Sequence, residues 1–215
     1  MVKLTKRLDA VASLVRENSA LADVGCDHGY LPVYLLLNDK IKSAVASDIN
    51  EGPLLSCKNL VCEYSLQDKV KCVLSDGLKN ISSDDCDDVT VCGMGGELIA
   101  KILSKCEWAK NKEKHYVFNP MTHPEILRKY LCENGYEINN DFVIKDGKHY
   151  YNVFDAFYTG KVLEYSDSYY YLGNIDSFEH KDYFNHLLNY LENKMKGGCD
   201  YTNIITAIKE KLWLL

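Results

Sequence analysis

Ala22-Asp23-Val24-Gly25-Cys26-Asp27-His28-Gly29-Tyr30-Leu31-Pro32 is the stretch that decides the fold. Residues 20–24 form a short apolar run broken only by Asp23, the run stops at a glycine, and a helical pattern opens around Pro32. A strand, a glycine turn and a helix in that order let a backbone approach a nucleotide-like ligand closely. Asp48 closes the next strand-like run, 19 residues beyond Gly29. That distance suits a carboxylate reaching the hydroxyls of a ribose held at the first turn.

Outward from this unit, strand and helix patterns alternate. Leu4, Leu8, Val11 and Val15 recur at helical spacing and predict an amphipathic helix at the start. Strands are predicted at 43–49, 70–74, 89–92 and 115–118, closing at Asp48, Asp76-Gly77, Gly93-Met94-Gly95-Gly96 and Asn119-Pro120 respectively. Helices follow, with Pro53 and Pro124 suited to first turns. Such alternation means crossovers and a buried parallel sheet, with ligands bound at the carboxyl ends of its strands. Residues 136–144, a turn at Asp146-Gly147 and residues 149–158 predict a closing antiparallel hairpin.

After Gly160 the pattern changes. The acidic, tyrosine-rich stretch 164–171 reads as a connector. Phe184, Leu187, Leu188, Leu191 and Met195 form one helical stripe, and Ile204, Ile205, Ile208, Leu212 and Leu215 another, separated by Gly197-Gly198. The expected domains are therefore 1–160 and a helical hairpin over 161–215, too small to fold alone.

Twenty-five Lys and Arg against 31 Asp and Glu give a net charge of −6, so no global basic field points to nucleic acid. A local patch can still serve: Lys3, Lys6, Arg7 and Arg16 outnumber Asp9 and Glu17 in the first helix, and bases also exceed acids over 97–130. Nine cysteines occur without a CxxC pair or a His pair at ligand spacing, which fits free thiols in a reducing cytoplasm and no metal. No apolar run approaches a membrane span. The oligomeric state is open, with a monomer as the starting expectation.

The closing hairpin separates two fold types. A dehydrogenase of the Rossmann type has no need of it, and Gly-Cys-Asp-His-Gly lacks the G-x-G-x-x-G spacing that a pyrophosphate requires. The expected architecture is α/β: a Rossmann-like class I methyltransferase fold with a mostly parallel, seven-stranded sheet. S-adenosylmethionine is the cofactor that suits it.

The motifs converge on a known family. Lys6-Arg7-Leu8, Asp23-Val24-Gly25-Cys26-Asp27-His28-Gly29-Tyr30-Leu31-Pro32, Gly52-Pro53, Asp76-Gly77-Leu78 and Gly93-Met94-Gly95-Gly96 resemble the bacterial tRNA (adenine-22-N1)-methyltransferases. Leu127-Arg128, Gly135-Tyr136 and Asp146-Gly147-Lys148 carry the resemblance to about residue 160. Cys26 stands where the family usually has serine, Gly29 where alanine is common, and Asn119-Pro120-Met121 replaces a Gln-Pro-Asn pattern. The resemblance implies methyl transfer from S-adenosylmethionine to adenine N1 of a tRNA. Rival readings are a methyltransferase for another RNA position or a small molecule, and an inactive module that binds cofactor and RNA.

In this scheme Asp23, Gly25 and Cys26 cradle the amino acid end of the cofactor, with Asp23 near its ammonium. Asp48 accepts from the ribose, Ile49 packs on the adenine, and Asp76, Gly77 and Gly93 complete the cofactor side. Arg7, His28, Tyr30, Met94, Gly95, Asn119 and Pro120 are expected on the substrate side. Two readings stay open for Asp27: a carboxylate that orients the target adenine and stabilises its developing charge, or a cap for the following helix. His28 and Tyr30 stack on the base or pack in the core, and Met94 is a soft wall or a core residue.

Overall fold

The computed structural model describes residues 2–176 and 179–213; Leu215 of the last predicted stripe lies outside them. Seven strands and eight α-helices are described. They run as α1 (Lys6–Leu14), β1 (Ser19–Val24), α2 (Tyr30–Leu37), β2 (Ile41–Asp48), α3 (Glu51–Glu63), β3 (Val70–Leu74), β4 (Asp88–Cys92) and α4 (Gly96–Ser104). Then follow β5 (His115–Asn119), α5 (Pro124–Glu133), β6 (Tyr136–Asp146), β7 (His149–Tyr158), α6 (Asp167–Leu172), α7 (Lys181–Met195) and α8 (Thr202–Trp213).

One sheet holds all seven strands in the order β3-β2-β1-β4-β5-β7-β6. The first five pair in parallel, and β7 joins antiparallel between β5 and β6. The order reverses between β1 and β4, which places a crevice at the carboxyl ends of those two strands. Alternate residues feed two apolar layers, as the two-residue strand period requires. Leu21, Ala44, Ala46 and Val117 pack under α1, α2 and α3, whereas Ala22, Val45, Val89, Val91, Tyr116 and Phe118 pack under α4 and α5.

The stretch read as a connector is partly helical. Ser166 caps α6 by accepting a hydrogen bond from the Tyr169 amide. What orders this polar segment is tertiary: the Tyr170 carbonyl accepts from Arg128 Nη1 at 3.0 Å. Arg128 is fully buried and also forks onto Asp141, at 2.9 Å through Nε and 2.8 Å through Nη2, and onto Asn152 Oδ1 at 2.8 Å. A buried guanidinium is tolerable only when its donors are met in this way. The tail's own core (Leu172, Ile175, Phe184, Leu191, Ile204, Ile205 and Ile208) closes over Val143 of β6.

Candidate active site

At the crevice, β1 hands over to a loop whose backbone turns to positive φ three times in five residues. Gly25 and Gly29 have φ of +75° and +74°, and Asp27 between them has φ of +51°. Aspartate enters the left-handed region at a cost, and such residues cluster where a loop must hold a set shape. The Gly25 and Cys26 amides both donate to the Ser47 carbonyl, at 2.8 and 2.9 Å, which ties the loop to the end of β2. Asp27 does not cap α2: the capping position is Gly29, and no side chain bonds the first turn there. Its carboxylate lies instead 3.6 Å from His28 Nε2, on the exposed side of the loop.

The cleft has a volume of about 440 Å³. Its lining includes Asp23, Gly25, Cys26, Asp27, Asp48, Ile49, Asp76, Gly77 and Gly93 from the expected catalytic and cofactor side, and Arg7, Tyr30 and Met94 from the expected substrate side. His28, Gly95, Asn119 and Pro120 fall outside that lining. His28 stacks on Tyr30 at 5.5 Å beside the mouth. Asn119 and Pro120 are buried, and Asn119 Oδ1 accepts from Arg7 Nη1 at 2.7 Å. Gly95 and Gly96 pack on the neighbouring loop: an added Cβ would stand 2.9 Å from Thr122 Oγ1 at Gly95 and 2.1 Å from the His123 carbonyl oxygen at Gly96. Gly93, with φ of +79°, has open space where a Cβ would be.

Four carboxylates face this space, and they differ. Asp23 is 4% exposed and accepts from Thr90 Oγ1 at 2.7 Å. Burial pushes its carboxyl up to about 6, against the Thr90 hydrogen bond and with help from the charge of Asp48. Asp48 accepts from the Asn50 amide at 2.9 Å, a short turn that fixes one oxygen. Asp27 is open, its side chain 72% exposed. Asp76 is also exposed, and the Ser75 hydroxyl shapes its turn by bonding the Gly77 carbonyl at 2.8 Å. Arg7 is the one cationic side chain among the described lining residues.

Sequence reasoning passed over Thr90, Ser75, Asn50 and Leu98. Thr90 sits opposite Asp23 only because β1 and β4 pair in that register, a long-range fact with no local signal. Asn50 could have been found, since Asp-x-Asn after a strand favours a side-chain turn.

A single crevice at the strand-order reversal, with an acid at the end of β2 and a closing antiparallel hairpin, defines the class I methyltransferase architecture. The Methyltransferase domain family matches residues 4–154, and this chain belongs to that family. A tRNA (adenine(22)-N(1))-methyltransferase from Bacillus subtilis (strain 168) is 35% identical over 150 residues, which are 69% of this chain and 63% of that protein. The match thus spans less than two thirds of the relative's length. A candidate tRNA (m1A22) methyltransferase from Streptococcus pneumoniae, solved in complex with S-adenosyl-L-methionine, is similar over 98% of this chain and 100% of its own, with 29% identity and a TM-score of 0.86. The M. capricolum enzyme TrmK, solved with S-adenosyl-homocysteine, covers 97% of this chain and 94% of its own at 27% identity and a TM-score of 0.77.

Proposed function

We propose that this protein transfers a methyl group from S-adenosylmethionine to N1 of adenine 22 in tRNA, in the cytoplasm. The observation that carries the reading is the pairing of buried Asp23 with Asp48 in one cleft of suitable size. A buried carboxylate with a raised pKa and one hydroxyl partner fits a ligand that brings a cation. The ammonium of S-adenosylmethionine is such a group, and the relatives solved with this cofactor or its product support the same assignment. Residues 1–160 are read as the catalytic domain and 161–215 as its helical appendage.

Asp23 would hold the ammonium, Asp48 the ribose hydroxyls, and Ile49, Asp76 and Gly77 the adenine end. When bound, the cofactor supplies an electrophilic methyl group on a sulfonium centre. Adenine N1 already carries its lone pair, so no residue has to deprotonate it first. The protein's work is to align the base and tolerate the charge that arrives on it. Asp27 suits that work, because its exposed carboxylate lines the cleft with Tyr30 and is held only by a loose 3.6 Å contact to His28 Nε2. It orients the exocyclic amino group and stabilises the cationic ring. The target base must leave its stack to enter such a cleft.

Incubation with unmodified tRNA and labelled cofactor, followed by mapping of the modified nucleotide, tests the reading. One methyl group at N1 of adenine 22 is expected; label at another nucleotide, or none, rejects it. Asp27→Ala should lower turnover at saturating tRNA at least tenfold while cofactor binding stays within twofold. Asp48→Ala should weaken cofactor binding measured by calorimetry, and unchanged binding would remove Asp48 from the site.

A further inference from the structure

The cleft is acidic on one side and carries a single guanidinium on the other. Asp48 ends β2 and Asp23 lies near the end of β1, whereas Arg7 is bound at the end of β5, beyond β4. Neighbouring strands stand about 4.8 Å apart, so the ends of β2 and β5 are separated by roughly 14 Å. Arg7 therefore sits on the side of the cleft away from the ribose-binding acid. Its guanidinium is held in place from two directions. Asn119 Oδ1 accepts from Nη1 at 2.7 Å, and the Tyr151 ring lies 5.7 Å from the guanidinium carbon.

Asn119 cannot turn to offer its amino group instead. It is fully buried, and its Nδ2 donates to the Asn152 carbonyl at 2.9 Å. A backbone carbonyl accepts only, so the amide has one workable orientation, with Oδ1 toward Arg7. One Arg7 nitrogen is thereby committed to the protein, while the rest of a five-donor fork remains at the cleft wall. Among the described residues Arg7 makes no ion pair with any of the four cleft carboxylates.

We propose that Asn119 is a positioning residue that presents Arg7 to a phosphate of the substrate nucleotide, so that the site recognises a base attached to its backbone. This rests on the tRNA reading above. A flipped nucleotide brings a phosphodiester with it, and an arginine fork is the matching donor for that anion. The alternative anion is the cofactor's own carboxylate, and the two separate cleanly by experiment.

The test compares wild-type protein with Arg7→Gln, Asn119→Leu and Asn119→Asp, reading the KM for tRNA, the cofactor Kd, and the salt dependence of tRNA binding. Arg7→Gln should raise the tRNA KM five- to tenfold, leave cofactor Kd within twofold, and reduce the salt slope by about 1. Asn119→Leu should reproduce that pattern, and the double variant should be no worse than Arg7→Gln alone, since both act on one contact. Asn119→Asp keeps an acceptor but sets an anion against Arg7 and leaves the Asn152 carbonyl without its donor, so it should lower the salt slope as Arg7→Gln does, a charge effect that a merely structural role for Asn119 would not give. A weakened cofactor Kd in Arg7→Gln, or an unaltered tRNA KM and salt slope, overturns the proposal even if the wild type methylates tRNA. A wild type that neither binds nor methylates tRNA overturns both this and the reading beneath it.

Discussion

Asp23 and Asp88 are both buried carboxylates on paired strands of one sheet, and their surroundings are opposite. Asp88, at the start of β4, accepts from the Arg16 amide at 2.7 Å, from Arg16 Nε at 2.6 Å and from His115 at 3.0 Å. Burial alone would raise it, but the hydrogen bonds of His115 and Arg16 outweigh burial and hold it below the ordinary carboxylate value. His115 is shared: its other nitrogen meets Asp155 at 2.8 Å. An imidazole between two carboxylates donates from both nitrogens, so it is cationic. Burial works against that charge, yet the bonds to Asp155 and Asp88 keep its pKa above the ordinary histidine value. Asp23 has one hydroxyl and a pKa near 6. One charge is neutralised by the fold itself; the other is left for something that arrives later. Buried charge that the chain completes is architecture, and buried charge that it leaves incomplete marks a site.

Three variants would break or sharpen that contrast. His115→Leu should cost most, about 3–5 kcal/mol in urea unfolding at pH 7, because it takes the shared cation away from two buried carboxylates, leaving Asp88 to Arg16 and Asp155 to Asn140. In the wild type the His115 contribution is complete below pH 6.5 and fades as pH climbs through the higher folded pKa, so alkaline destabilisation should be steeper than in the variant. Asp23→Asn should act in the reverse direction. With a folded pKa near 6 against an ordinary 3.8, the ionised group costs the free protein about 3 kcal/mol above pH 6, a penalty that vanishes below pH 4. The variant should therefore be more stable at pH 7 while binding cofactor at least tenfold more weakly. Wild-type affinity should rise from pH 5 to about 6 and then level, and the variant's should stay flat. Thr90→Val is the smallest change. Loss of the lone hydroxyl should destabilise by about 1.5 kcal/mol at pH 7 and push the affinity midpoint above 6. Equal pH profiles for Thr90→Val and wild type would remove Thr90 from this role.

The glycine turn and its acids were legible in the sequence because they are local: a strand ends, φ turns positive, and a carboxylate follows. The closing hairpin announced itself through Asp146-Gly147, and the observed strands lie within two residues of most expected bounds. What stayed hidden depends on register or on distant partners. Nothing near Thr90 says that it faces Asp23, and nothing near His115 says that Asp155, 40 residues on, closes its second nitrogen. Asn119 was expected on the substrate side of the cleft, but it stands behind Arg7 instead. The segment containing α6 has no apolar stripe to betray it, since a buried arginine from α5 supplies its anchor.

The run Gly93-Met94-Gly95-Gly96 carries a last lesson about how freely such a loop could diverge. At Gly96 even a methyl group would strike a main-chain carbonyl that has no rotamer to yield, so that position is closed to drift. Gly93 is barred only by its dihedral angle, which asparagine can share. A lineage of descendants would keep the fourth letter of this run long after it had begun to experiment with the first.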